Sequence, residues 1–335
     1  MKRNWSVLAL SLFLASCWKP HVPPDSDLET NLGQAGNERV LRSFNNYKLA
    51  RAMNVVGCKA RGNHPRAIVS GFGLFSGNSF NISGVVVESL ANKAIFPDEM
   101  ETSVQSLRAA PLGAVEDGKL PFYGSEAQTW NRTLVIDGKP FDVCFIHVDV
   151  MWDLAAAIVI HEMFEFRPAV VLMSGFAAGQ IVRVEKGSHN NAGRSPAYNR
   201  DGSAARAVAP RERYLLPPNA PGVQNMINMT WDNKSIATHI SPLVKEIWNK
   251  FEVKPTEKIN ENDDYICNNT SYVVLHAAKG VEVELAGGKV RLKASGPLPA
   301  KIGFLHLPTS NNDSKSVQGW GRVFAKIIVS LGASQ

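Results

Sequence analysis

The sequence predicts an α/β fold: a single three-layer domain with a mostly parallel central sheet flanked by helices. Three observations lead there. Short runs rich in Val and Ile lie at 67–70, 143–148, 169–174 and 302–307, with the continuous apolar character of strands buried on both faces. Between and after them, apolar residues recur at three-to-four spacing over about 83–94, 152–166, 235–251, 268–279 and 317–331. Strands alternating with helices favour parallel pairing through crossover connections.

The helix at 317–331 is the clearest, because Trp320, Val323, Phe324, Ile327, Ile328 and Leu331 form one stripe. A further helix is expected ahead of the domain, where Val40, Phe44, Tyr47 and Ala50 share a face. Residues 281–293 alternate around Gly287-Gly288 and predict a hairpin, with Glu282 and Glu284 facing Lys289, Arg291 or Lys293. Residues 195–233, rich in Pro, Asn and Arg, read as a long irregular loop.

The 335 residues are 44% hydrophobic and 20% charged, enough apolar material for a sizeable core. The formal charge of +6 is scattered without a dense basic run, which argues against a nucleic-acid partner. At the start, Lys2-Arg3 precedes an apolar stretch from Trp5 to Leu14, too short to span a bilayer comfortably. Leu14-Ala15-Ser16-Cys17 then resembles a bacterial lipoprotein signal, in which Cys17 is lipidated and becomes the new N-terminus. The expected organisation is a signal peptide over 1–16, a tether over 17–35 with Pro20, Pro23 and Pro24, a helical extension over 36–65 and the α/β domain over 66–335. Lipid anchoring would place the chain in the cell envelope. Trp18, rather than aspartate, follows Cys17, which favours a periplasm-facing outer membrane where the cell has two membranes.

Without Cys17, the thiols are Cys58, Cys144 and Cys267, so one disulfide at most forms and one sulfur is left over. Cys267, in Asp264-Tyr265-Ile266-Cys267-Asn268-Asn269, stands where an extended segment meets a helix start. The unsatisfied N–H groups there favour a thiolate and can stabilise an oxyanion. His306, near the end of the strand in Gly303-Phe304-Leu305-His306-Leu307-Pro308, is the candidate acid–base group. Glu185, in Arg183-Val184-Glu185-Lys186, is the candidate carboxylate to orient it. Each has a plainer reading: a small buried hydrophobe, a core histidine and a solvated acid.

Gly71-Phe72-Gly73-Leu74-Phe75-Ser76-Gly77 is one residue short of a dinucleotide fingerprint, because Ser76 stands where the third glycine belongs. Its glycines serve either a tight strand-to-helix turn or a turn presenting Phe72 and Phe75 to a flat ligand. Metal chemistry is the rival. In His161-Glu162-Met163-Phe164-Glu165, however, Glu165 stands where a zinc-protease helix needs its second histidine, and His147 with Asp149 has no evident third ligand. No metal and no organic cofactor is expected.

In this order, these segments resemble the pyroglutamyl-peptidase I family of cysteine peptidases, over residues 66 to about 330. Gly71-Phe72-Gly73-Leu74-Phe75-Ser76-Gly77 with Asn81-Ile82-Ser83 is similar to the family's G-F-x-P-F-x-G and N-P-S. Gly175-Phe176-Ala177-Ala178-Gly179 leading to Glu185 is similar to the strand end before its glutamate. Tyr265-Ile266-Cys267-Asn268 and Phe304-Leu305-His306-Leu307-Pro308 are similar to F-V-C-N and F-I-H-V-P. The resemblance implies Cys267 as nucleophile, His306 as acid–base, Glu185 as orienting carboxylate, and Phe72, Phe75 and Arg194 as substrate-binding residues. The implied reaction removes N-terminal pyroglutamate from a small peptide; homo-oligomerisation stays open. Cys267 would then stay free, leaving Cys58 and Cys144 as the pair that can bond. Asp263-Asp264 stand where the family has glycine and threonine. Carboxylates there oppose thiolate and oxyanion formation, so the alternative is an inactive, lipid-anchored binding or scaffold protein that kept the fold.

Overall fold

The chain runs, in a computed structural model, through α1 (Ser26–Ala52), β1 (Arg66–Phe72), α2 (Ile82–Ala91), β2 (Glu99–Met100), β3 (Ala127–Ile136), β4 (Lys139–Val148), α3 (Leu154–Phe166), β5 (Val170–Phe176) and β6 (Ile181–Val184). It continues through β7 (Gly187–His189), β8 (Met226–Asn228), α4 (Asn233–Ile247), β9 (Glu252–Pro255), α5 (Ile266–Ala278), β10 (Val283–Leu285), β11 (Val290–Leu292), β12 (Lys301–Leu307) and α6 (Ser314–Gly332). The structure describes residues 26–74, 81–102, 127–193, 214–260, 263–310 and 313–332, with side chains from residue 36 onward. The signal segment, Cys17, Phe75 and Arg194 lie outside the described residues.

Eight strands form one sheet in the order β2-β3-β4-β1-β5-β12-β6-β9. The central four, β4, β1, β5 and β12, are mutually parallel, while β3 on β4 and β6 on β12 are antiparallel. Ile68, Val69, Phe145, Val171, Leu172, Ile302 and Leu305 are all buried, as a sheet covered on both faces requires. Helix α6 packs with α2 and α4, and α3 packs with α1 and α5, which makes the outer layers of an α/β/α sandwich.

Helix α3 carries a buried acid that organises its neighbours. Glu162 is fully buried, accepting from Tyr47 Oη and Arg51 Nε at 2.8 Å and from the Cys58 backbone N–H at 2.7 Å. Three donors satisfy the charge that burial would otherwise penalise, and together they tie α1 and the following loop to α3. That loop is then stapled to the sheet by a disulfide between Cys58 and Cys144, 86 residues apart.

Several details differ from the sequence reading. Helix α1 starts at Ser26 and so takes in ten residues assigned to the tether; after Pro24 no proline interrupts Leu28, Glu29, Leu32 and Gln34, all good helix formers. Strand β3 was not anticipated, because Thr129-Trp130-Asn131-Arg132-Thr133 lacks an apolar run. Strands β6 and β9, of four residues each, were also missed. The hairpin of β10 and β11 is present, with Glu284 against Arg291 at 3.1 Å and Glu282 against Lys293 at 3.7 Å.

Candidate active site

Two neighbouring strands bring the first pair of groups together. His306 lies near the end of β12, opposite Arg183 of the antiparallel β6, and Glu185 follows β6 directly. The Glu185 backbone N–H donates to Phe304 O at 3.0 Å, and Trp231 Nε1 donates to Glu185 O at 3.1 Å, so the segment cannot swing away. Glu185 Oε1 then lies 2.7 Å from His306 Nδ1, and both side chains are buried. Burial works against the Glu185 charge, but the His306 hydrogen bond, Arg183 and Thr256 outweigh it and hold the carboxyl below its ordinary range. An ionised partner accepts from Nδ1–H, which leaves Nε2 as the nitrogen that exchanges protons.

Cys267 is the second residue of α5. The helix is preceded by Tyr265 in an extended conformation, whose side chain makes no capping hydrogen bond. The thiol is half-buried and outside any disulfide. Its placement over the sheet follows from Gly175. A Cβ built there would come within 2.7 Å of Cys267 Sγ and 3.0 Å of the Phe304 ring, so the sulfur occupies the space a side chain would fill. Gly175 is the parallel register partner of His306. Paired residues in adjacent strands project to the same face, so thiol and imidazole share one. The β1–β5 register pairs Ser70 with Met173; two residues further, Phe72 falls beside Gly175 on that same face. The three residues therefore lie on one face of the sheet, towards the carboxyl ends of β1, β5 and β12, where open α/β sheets place their ligand crevices.

Phe72 itself is only 4% exposed and belongs to the apolar core, so it walls the site instead of presenting an open aromatic face. The turn after it is pinned by polar contacts. Asn81 Nδ2 donates to Gly73 O at 2.9 Å, the Ser83 hydroxyl donates to Asn81 Oδ1 at 2.8 Å, and Phe72 N–H donates to Ser83 Oγ at 3.2 Å. Gly71 is required by packing: a Cβ there would meet Ser83 O of α2 at 2.2 Å.

Other functional contacts were not anticipated. Asn268 accepts from His189 N–H at 3.0 Å and donates to His189 O and Asn191 O, riveting the start of α5 to β7 and the loop after it. His189 Nε2 and Asp263 O are 2.9 Å apart. An Asn-Asn pair just inside a helix start is a poor helix choice and was the available signal. The sequence sets the Asp263 carboxylate against thiolate formation, but its contact with the His306 ring is seen only in the structure. Asp263 Oδ2 lies 3.9 Å from His306 Nε2, on the side of the ring away from Glu185. Burial pushes the Asp263 carboxyl up, against the attraction of His306.

The sequence's rival metal residues are engaged elsewhere. The His161 ring packs edge-on against Phe44 and Tyr47, Glu162 is held as described, and Glu165 pairs with Arg51 at 3.8 Å. His147 Nδ1 meets Glu88 Oε1 at 2.5 Å. Among the described residues, the group whose ligand atoms lie within 4.8 Å of one another is Glu185, Asp263 and His306.

No family model matches the chain, and no curated protein does. Among solved structures it is similar to pyroglutamyl peptidase I from Bacillus amyloliquefaciens, at 14% identity and a TM-score of 0.48, covering 81% of this chain and 96% of that one. It is likewise similar to pyrrolidone carboxyl peptidase from Pyrococcus furiosus, at 14% identity and a TM-score of 0.46, covering 79% of this chain and 99% of that one.

Proposed function

We propose that the chain is a cysteine peptidase or amidohydrolase that removes N-terminal pyroglutamyl residues from small peptides. The observation that carries this reading is the buried Glu185–His306 pair, with the Cys267 sulfur standing over the register partner of that histidine. His306 Nε2 takes the thiol proton, and the thiolate attacks the amide carbonyl to give an oxyanion. First-turn N–H groups of α5 face the developing charge. Nε2 then gives its proton to the leaving amine, and water, activated by the same nitrogen, hydrolyses the thioester. Glu185 holds the ring in the tautomer this sequence needs. Phe72, with Phe75 and Arg194, shapes the pocket for the lactam. Lipidation of Cys17 and an envelope location belong to the same proposal, supported by the N-terminal sequence. No helix among the described residues is long and apolar enough to cross a membrane.

The test is hydrolysis of a fluorogenic pyroglutamyl amide. Turnover that is lost in Cys267→Ser and His306→Ala, both folded, supports the reading; turnover that survives Cys267→Ser ends it. A second reading, a catalytically silent binder, is favoured by Asp263 beside Nε2. Folded protein that binds a pyroglutamyl peptide without cleaving it would select that alternative.

A further inference from the structure

We propose that Asp263 selects the substrate, favouring peptides in which a lysine or arginine directly follows the pyroglutamyl residue and pairs with this carboxylate. The inference rests on the peptidase reading, since it concerns the group that leaves. Proton delivery fixes the distances. Nε2 of His306 protonates the leaving amine, so that nitrogen comes within about 3 Å of Nε2. Asp263 Oδ2 lies 3.9 Å from the same Nε2. The carboxylate oxygen is then no more than about 7 Å from the leaving nitrogen in any productive pose. The four-carbon stem of lysine, or the arginine side chain, spans such a gap.

Charge at this corner is unbalanced. The Glu185 and Asp263 carboxylates bring oxygens within 4.8 Å of one another. Arg183 Nε lies 3.3 Å from Glu185 Oε1 and His306 Nδ1 lies 2.7 Å from it, so both donors are committed to Glu185. Among the described residues, the group within ion-pair distance of Asp263 is His306, whose Nε2 is uncharged while the thiol keeps its proton. Burial pushes the Asp263 carboxyl up, as expected of an acid short of a counter-charge. The backbone there is fixed: Asp263 N–H donates to Asn260 O at 3.0 Å, and Asp263 O lies 2.9 Å from His189 Nε2. The side chain is 23% exposed, so a solute can reach it. An anionic residue in the same place would meet two carboxylates and be turned away. A cation adds more than affinity, because it cancels the opposition of Asp263 to the oxyanion for its own substrate alone.

Chromatography of the pyroglutamate released from pyroglutamyl-lysine amide, pyroglutamyl-alanine amide and pyroglutamyl-glutamate amide tests this on the full chain. The kcat/KM should fall by about tenfold from lysine to alanine and by about tenfold again to glutamate. Asp263→Asn should bring the three within about threefold of one another, lowering the lysine value and raising the other two, while Asp263→Glu keeps the order. A purely structural role would move all three alike. Equal values in the parent protein, or an order unaltered in Asp263→Asn, overturn the selection and leave the peptidase standing. Calorimetry on Cys267→Ser protein reads the same order as binding. If no peptide is ever cleaved, yet the lysine peptide binds at least about tenfold more tightly than the glutamate one and Asp263→Asn abolishes the difference, the peptidase reading falls and the cation selection stands. Binding without preference overturns the selection in either case.

Discussion

Glu185 and His306 lie 121 residues apart in sequence and 2.7 Å apart in space, a buried carboxylate–imidazole pair closed by the antiparallel contact of β6 with β12. Its role is testable through the neutral isostere. Glu185→Gln keeps the volume but removes the charge that selects the Nδ1–H tautomer. The kcat for pyroglutamyl-amide hydrolysis should drop by about a hundredfold or more with KM little changed. Steady-state kinetics on folded protein checks this, and an unaltered kcat would remove Glu185 from the mechanism.

Asp263 faces the opposite nitrogen of the same ring. A carboxylate there competes with the thiolate for the imidazolium proton and repels an oxyanion. Asp263→Asn is therefore expected to raise kcat/KM by about threefold to tenfold for an uncharged pyroglutamyl amide. A loss of activity would mean that Asp263 assists the reaction.

The thiols divide by chemistry. Under non-reducing conditions iodoacetamide should label Cys267 and leave Cys58 and Cys144 unmodified, as peptide mapping can show. Opening the disulfide by Cys58→Ser with Cys144→Ser releases an 86-residue loop in the unfolded chain, for a loss of about 4.5 kcal/mol in the chain-entropy picture. Urea unfolding measures it.

Glu162 supports stability away from the site. Glu162→Ala strips the partner from Arg51, Tyr47 and the Cys58 N–H and should cost about 3–5 kcal/mol. A urea midpoint close to that of the parent protein would contradict this.

His276 predicts a pH dependence. Its Nδ1 lies 2.9 Å from Tyr272 O and its Nε2 accepts from Gln224 N–H at 3.0 Å, so the folded ring is neutral with its proton on Nδ1. Burial, with help from Lys279, lowers its pKa below the ordinary 6.5. The unfolded chain then binds the proton more readily. The stabilisation is complete above 6.5 and is lost as pH falls through the depressed folded value. Unfolding free energies from about pH 8 to about pH 5 should decline, and His276→Gln should flatten the decline. Parallel slopes for the two proteins would reject this role.

Much of the architecture was legible because the central strands are apolar on both faces: 67–70, 143–148 and 302–307 lie within β1, β4 and β12, and 169–174 enters β5 at Val170. Strand β3 escaped because it is polar through Thr129, Asn131 and Arg132, whose partners come from distant loops. Asn131, for example, accepts from Lys59 N–H, and Arg132 donates to Phe96 O. Cys267, His306 and Glu185 stand out locally as candidates, at a helix start, a strand end and a turn, but only the family resemblance joins them in one site. The position of Asp263 against Nε2 leaves no local trace, because it depends on how a loop folds over the end of β12. The burial of Phe72 was hidden for a similar reason: a phenylalanine at a strand end reads alike whether the neighbouring helix covers it or not.

The Cys58–Cys144 bond also sets the route of mechanical tension. A pull on the N-terminal side travels through α1 to residue 58 and then crosses covalently into β4, in the interior of the sheet. The 85 residues between the two sulfurs, including β1, α2 and β3, are bypassed. Under stretching, the wall that Phe72 gives the crevice would be spared until the force had begun to peel β4 itself.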